Sequence, residues 1–233
     1  MTDRKMILQK RGNMDNKEIY KHIDHTLLKA YSEWDQIKTL CKEAVEYKTA
    51  SVCIPQAYIE RVHKEFPSLN ICTVIGFPLG YNLTESKVVE AKKSLEYGAS
   101  EIDMVVNISD VKNGDYGKVE EEIRTIKEAV GDKILKVIIE TCYLTKDEKI
   151  AMCEAVTKAG ADYIKTSTGF GTDGAKMEDI LLFKDHIGEN VKIKAAGGVR
   201  TKEDLIAFIE AGCDRIGTSS AIKMLKGEEN EDY

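Results

Sequence analysis

The sequence predicts a single-domain (β/α)8 barrel. Short apolar or β-branched runs alternate with charged segments of helical period, eight such runs occur, and 233 residues is a length at which an α/β barrel forms one domain. An open doubly wound sheet usually has fewer strands.

Residues 1–16 are strongly polar and precede the first unit, so they are expected to form an arm or a helix beneath the barrel, with residues 17–233 as the barrel itself. Strand one is expected in "YKHIDHTLL", followed by the helical "SEWDQIKTLCKEAVEY". "ASVCIP" and "ICTVIGFP" supply strands two and three, and "TESKVVEAKKSLEYGA" the helix after them. "EIDMVVN" then "YGKVEEEIRTIKEAVGD", and "ILKVIIET" then "TKDEKIAMCEAVTKAGA", repeat the unit. "YIKTSTG" is strand six, "VKIKAAGG" with "TKEDLIAFIEAGC" the seventh unit, and "DRIGTSS" strand eight. Several helices open on Ser or Thr followed by acidic residues, as at Thr84–Lys87 and Thr145–Glu148, and several close on Gly, which are start and stop signals. The acidic end "KGEENEDY" is expected to be a mobile tail.

Composition narrows the function classes. Lys and Arg total 34 against 40 Asp and Glu, a net charge of -6, with no basic block to neutralise phosphates, so nucleic acid is not an expected partner. No apolar run reaches membrane-spanning length and the start lacks a signal-peptide pattern, so a cytoplasmic location is expected. Six scattered cysteines lack the spacing of a zinc site and read as reduced, mostly buried thiols; no metal is expected. His22, His25, His63 and His186 form no ligand spacing and read as structural or surface residues.

In a barrel of this kind the active site lies at the carboxyl ends of the strands. Alternate side chains point inward. Asp103 then shares a face with Val105 and Asn107, Lys136 with Ile138 and Glu140, Lys165 with Ser167, Lys194 with Ala196, and Asp24 with Thr26. Three lysines and at least one carboxylate would converge. A single lysine could snorkel to water, but burying three together raises a repulsion that structure alone gives no reason to accept. A neighbouring cation together with desolvation is a recognised way to turn a lysine into a nucleophile, and Lys165 and Lys194 on adjacent strands supply both. The turns "GGVRTKED" and "GTSSAIK" after strands seven and eight place backbone N–H groups and the hydroxyls of Ser219 and Ser220 at consecutive helix starts, the usual barrel position for a phosphate.

The runs "IDHTLLK", "SVCIP", "GFPLG", "EIDMVVN", "LKVIIET", "YIKTSTGF", "KAAGGVRT" and "RIGTSS" together resemble the deoxyribose-phosphate aldolases, a class I aldolase family, from about Tyr20 to Tyr233. The resemblance implies Lys165 as the Schiff-base lysine, Lys194 as the residue that tunes it and relays protons, Asp103 as the acid/base group acting through a water, and Asp24 as the group orienting Lys194. It implies substrate contacts from Lys136, Thr168, Gly169, Gly171, Gly197, Gly198, Val199, Arg200, Gly217, Ser219 and Ser220, and a proton-transfer role for the terminal Tyr233. No cofactor is implied. Phe170 stands where some members carry a lysine, which loosens one phosphate contact, and Cys53 occupies a position that in some members is sensitive to reactive aldehydes. The implied substrates are phosphosugars and aldehydes, and the implied assembly is a homodimer or larger homo-oligomer. Two rivals share the phosphate turns: another barrel lyase or isomerase, which has no need of both Lys165 and Lys194, and a non-catalytic sugar-phosphate sensor, in which the lysine cluster would be degenerate.

Overall fold

The computed structural model describes residues 14–227. Helix α1 (Asn16–Tyr20), capped by Asp15, buries Ile19 and Tyr20 and ties Asn16 to the Leu225 carbonyl near the end of the chain. Then follow β1 (Ile23–Thr26), α2 (Trp34–Tyr47), β2 (Ser51–Cys53), α3 (Ile59–Glu65), β3 (Ile71–Ile75), α4 (Thr84–Glu96) and β4 (Glu101–Val105). The second half runs α5 (Ile108–Lys112), α6 (Tyr116–Val130), β5 (Ile134–Ile138), α7 (Lys146–Lys158), β6 (Tyr163–Lys165), α8 (Met177–His186), β7 (Lys192–Ala196), α9 (Lys202–Ala211), β8 (Arg215–Thr218) and α10 (Ala221–Lys226).

The strands close in sequence order into one parallel barrel, with β8 pairing back onto β1. Each expected strand contains an observed one. Period two then separates two environments. Outward Ile102 and Met104 of β4, Leu135 and Val137 of β5, and Ile193 and Ala195 of β7 join the main apolar core under the helices. Helix α6 meets that core with Val119, Ile123, Ile126 and Val130, a spacing of three and four residues that forms one face. The inward side is largely polar, relieved by a small apolar group of Cys53, Cys72 and Val74 with Leu28 and Phe77 against it.

Helix ends follow the sequence signals in part. Thr145 caps α7 with the reciprocal Glu148 contact, and Thr201 does the same for α9 with Asp204. Thr84 instead lies inside α4, whose cap is Leu83 with no side-chain bond. Its orphan N–H groups are met otherwise, by the Ser86 and Lys87 bonds to the Leu83 carbonyl. Helices α3, α5 and α8 fall outside the segments expected to be helical, although α8 carries Glu178 and Asp179 in its first turn and Lys184 and His186 in its last. A buried lysine also secures the strand ends: Lys87 donates to the carbonyls of Gly80 and Val105 at 2.6 and 2.8 Å and pairs with Glu122 at 2.7 Å.

Candidate active site

Register places the charged residues. Lys165 pairs with Lys194 across β6 and β7, and Asp103 pairs with Lys136 across β4 and β5. Their side chains meet inside the barrel, where Asp24, Asp103, Lys136 and Lys194 are fully buried and Lys165 nearly so. Asp103 is the hub: its Oδ2 accepts from Lys165 and Lys194, each at 2.7 Å, and its Oδ1 from Lys136 at 3.0 Å. Asp24 holds Lys194 from the other side at 2.5 Å and accepts from the Ser51 hydroxyl at 2.8 Å.

Beneath them Arg215 bridges Asp24 and Glu101, and Glu101 also accepts from Lys136 at 2.6 Å. Arg215 and Glu101 were not anticipated from the sequence. Each stands at the start of a strand beside Asp or Ser, where a charge usually faces water, yet Glu101 shares its parity with Asp103 and Arg215 with Gly217, which was the available signal. The assembled group holds four cationic side chains against three carboxylates.

The electrostatics follow from this packing. Burial works against ionisation of Asp103, but the ammonium groups of Lys136, Lys165 and Lys194 overcome it and hold the carboxyl well below its usual range. Asp24 is likewise depressed: Lys194, Lys136 and Arg215 outweigh its burial. Burial opposes the charge on Lys194, yet Asp103 and Asp24 outweigh it and raise the Lys194 pKa, and Lys136 is raised in the same way by Asp103 first. Lys194 is therefore a standing cation.

Those shifts fix the sign of a pH effect. Carboxyls depressed in the folded state contribute stability above the unfolded value of about 4 and lose it as pH falls through the folded values. The raised lysines contribute fully below about 10 and lose it as pH rises through theirs. This cluster should therefore give a plateau from about pH 4 to 10, and urea midpoints from pH 7 to 3 should fall more steeply for the native protein than for Asp24→Asn.

A cavity of about 670 Å³ opens over the carboxyl ends of the strands. Lys165 is the one cluster lysine that lines it, together with Thr168, Gly169, Gly197, Gly198, Val199, Arg200, Gly217, Ser219 and Ser220. Gly197 and Gly198 adopt φ of +74°, and Gly169 of +85°, the left-handed region that favours glycine. Phe170 is half exposed at the mouth, edge-on to Phe77 at 5.2 Å.

Two expected lining residues lie elsewhere. Lys136 has the right parity but the wrong depth: it pairs with Tyr163, two residues short of Lys165, and at about 3.3 Å per residue it sits a layer below the cavity. Gly171 packs away from the cavity, because a Cβ there would stand 2.9 Å from the Cys142 sulfur and 3.1 Å from Glu140 Cδ. Tyr233 lies outside the described residues. His22 and His25 are occupied structurally, by the Asp214 carbonyl and by Glu43.

Among the described residues, one trio of potential metal ligands lies within 4.8 Å of one another: Cys53, Cys72 and Asp103. Lys136 touches both Cys72 and Asp103, and Lys165 and Lys194 touch Asp103, so a divalent cation would meet three ammonium groups. The donor set fits an ion poorly.

Comparison with known proteins supplies the family. The family model for the DeoC/LacD family aldolases matches residues 15–221. The chain belongs to this aldolase family. A deoxyribose-phosphate aldolase of Clostridium botulinum strain Alaska E43 is 67% identical over 94% of this chain and 100% of its own length. One from Clostridioides difficile strain 630 is 60% identical over 93% of this chain and 100% of its own. Among solved structures, the tetrameric deoxyribose phosphate aldolase of Aeropyrum pernix superposes with a TM-score of 0.84 at 30% identity, covering 97% of this chain and 98% of that one. As an aldolase of the DeoC/LacD family the protein is an enzyme, a carbon–carbon lyase, and its closed barrel is the fold of those relatives. No helix among the described residues is long and apolar enough to cross a membrane.

Proposed function

We propose that this aldolase reversibly cleaves 2-deoxy-D-ribose 5-phosphate to D-glyceraldehyde 3-phosphate and acetaldehyde through a Schiff base on Lys165. The observation that carries the reading is the pairing of one cavity-lining lysine with a carboxylate that a second, standing ammonium also grips. The substrate comes from the relatives' names, and the cavity suits it.

Lys165 gives up its ammonium proton to water, its free amine adds to the C1 aldehyde, and the neutral carbinolamine takes up a proton as it loses water to give an iminium. That electron sink accepts the C3–C4 bond pair as the C3 hydroxyl loses its proton toward Asp103 through a water. A carboxylate pressed so low is a weak base at rest. In the neutral carbinolamine one of its three ammonium neighbours has lost its charge, which raises the basicity of Asp103 for the proton transfers that complete the iminium. Glyceraldehyde 3-phosphate departs, and the enamine is protonated at carbon and hydrolysed to acetaldehyde. Lys194 stays charged between Asp24 and Asp103, fixing the position of the acid/base group.

The phosphate is assigned to the Gly197–Gly198 turn, Val199, Arg200, Gly217 and the Ser219–Ser220 pair, which line the cavity beside Lys165. Phosphate binding away from the reacting carbons holds C1 against Lys165 and contributes through proximity. Most of the expected arm, residues 1–13, lies outside the described residues, as does Tyr233, which is proposed as a proton-transfer aid. Schiff-base chemistry in deoxynucleoside catabolism, a cytoplasmic setting and a homo-oligomeric assembly complete the reading; free thiols among the described residues and a net charge of -6 accord with the setting.

The test is to incubate the protein with acetaldehyde, reduce with borohydride, and map the adduct by mass spectrometry. An ethyl group on Lys165 alone is the expected result. An unlabelled Lys165 in folded protein would overturn the mechanism.

A further inference from the structure

Glu140 combines two features that stability alone disfavours. It is a non-glycine residue in the left-handed region, with φ of +52°, immediately beyond β5. Its carboxylate is also buried, at 1% exposure, and among the described residues it forms no ion pair. Burial raises its pKa, and the charge of Lys165, beyond ion-pairing distance, offsets that only in part, so the site is costly unless its hydrogen bonds are needed.

Besides a contact from the neighbouring Cys142 thiol, those bonds converge on one residue of the next loop. Thr168 donates its N–H to the two carboxylate oxygens at 3.2 and 3.3 Å and its hydroxyl to Oε2. The Thr168 oxygen accepts in turn from the Phe170 N–H at 2.9 Å, and Thr141, next to Glu140, donates its N–H to the Thr166 carbonyl at 2.9 Å. Gly171 closes on the Glu140 carboxyl from the far side. The loop after β6 is thus hung on Glu140. Thr168, Gly169 and Phe170 are cavity wall, and Gly169 lies against the Gly197 turn: a Cβ on Gly197 would be 3.6 Å from the Gly169 Cα.

We propose that Glu140 is a positioning residue for phosphate recognition: by fixing Thr168 it sets the loop against the Gly197–Gly198 turn and so determines preference for a phosphorylated over an unphosphorylated sugar. Glu140 forms no ion pair with Lys165, although it feels that charge, and its hydrogen bonds to the cavity wall run through Thr168. The inference rests on the phosphosugar reading above.

The test measures kcat and KM for cleavage of 2-deoxyribose 5-phosphate and of 2-deoxyribose by the native enzyme, Glu140→Ala, Glu140→Gln and Thr168→Val. The native enzyme should prefer the phosphorylated sugar. Glu140→Ala should cut that preference by about tenfold or more, carried mainly by KM for the phosphorylated sugar, the scale of a lost charge-assisted bond. Glu140→Gln should restore part of it, since its amide can accept the Thr168 N–H and donate to the hydroxyl oxygen. Thr168→Val keeps the shape, removes the hydroxyl and should shift the preference in the same direction, which keeps the proposal falsifiable if Glu140→Ala fails to fold. Equal losses on both sugars, or an unchanged preference in folded variants, would overturn the positioning role. A native enzyme that shows no preference would instead overturn the phosphosugar reading, and this inference with it.

Discussion

Lys165→Met is expected to lower kcat/KM for deoxyribose phosphate cleavage by about 10⁴-fold or more while leaving the urea midpoint unchanged or higher. The loss is large because no other lysine of the cluster can take over. Lys194 is gripped by Asp24 and Asp103, and Lys136 lies a layer deeper against Glu101, so neither presents an amine to the cavity. The stability effect has the opposite sign because the cluster holds one cation more than it has carboxylates. Methionine fills similar volume, removes the surplus charge, and leaves Asp103 with Lys136 and Lys194. Kinetics and urea unfolding on the same preparation check both halves; a midpoint that falls with activity would mean that the Lys165–Asp103 pair serves the fold as well as the chemistry.

Asp24→Asn is expected to be the most destabilising conservative change in the barrel interior, costing about 3–5 kcal/mol and lowering Tm by roughly 10 °C. Asp24 neutralises Lys194 and Arg215 and stands 3.7 Å from Lys136, and of these only Arg215 keeps slight contact with water. With it neutral, four cations share two carboxylates, and Lys194 loses one of the two groups that raise its pKa. Activity should fall through kcat, since the Lys194 position beside Asp103 is no longer fixed. The cause can be isolated by adding Arg215→Met: the double variant should melt above Asp24→Asn alone, a coupling of favourable sign that a packing defect would not produce. Simple additivity of the two losses would argue against the charge-balance account.

The alternation of apolar runs with helical segments was enough to read the barrel, because most units carry their own period and their own capping or Gly signals. Parity was enough to turn Asp24, Asp103, Lys165 and Lys194 inward. Depth was not legible, since it depends on the stagger between strands, and this is why Lys136 was expected in the cavity wall although it pairs two residues below Lys165. Arg215 and Glu101 were missed because strand-start charges resemble surface charges until the barrel closes over them. The left-handed turn at Glu140 leaves no local trace in sequence: its partner, Thr168, lies 28 residues on. Helices α3 and α5 are short, which gives a period little length in which to show, and α8, as long as α9, lacks the Ser or Thr cap that marks α9.

The left-handed glycines at 169, 197 and 198 divide this site into two heritable parts. Where an anion is met by main-chain N–H groups, point substitution of neighbouring side chains leaves the donors in place. Such a pocket changes by losing a glycine, by insertion and deletion, or at the few side chains that fix its loops, as Glu140 does through Thr168. The apolar mouth, by contrast, is made of side chains such as Leu28 and Phe170 that single codon changes can replace. Variation and directed evolution should therefore broaden the range of aldehydes accepted long before they alter the phosphate handle, and a library confined to the mouth would sample new acceptors with the Lys165 chemistry intact.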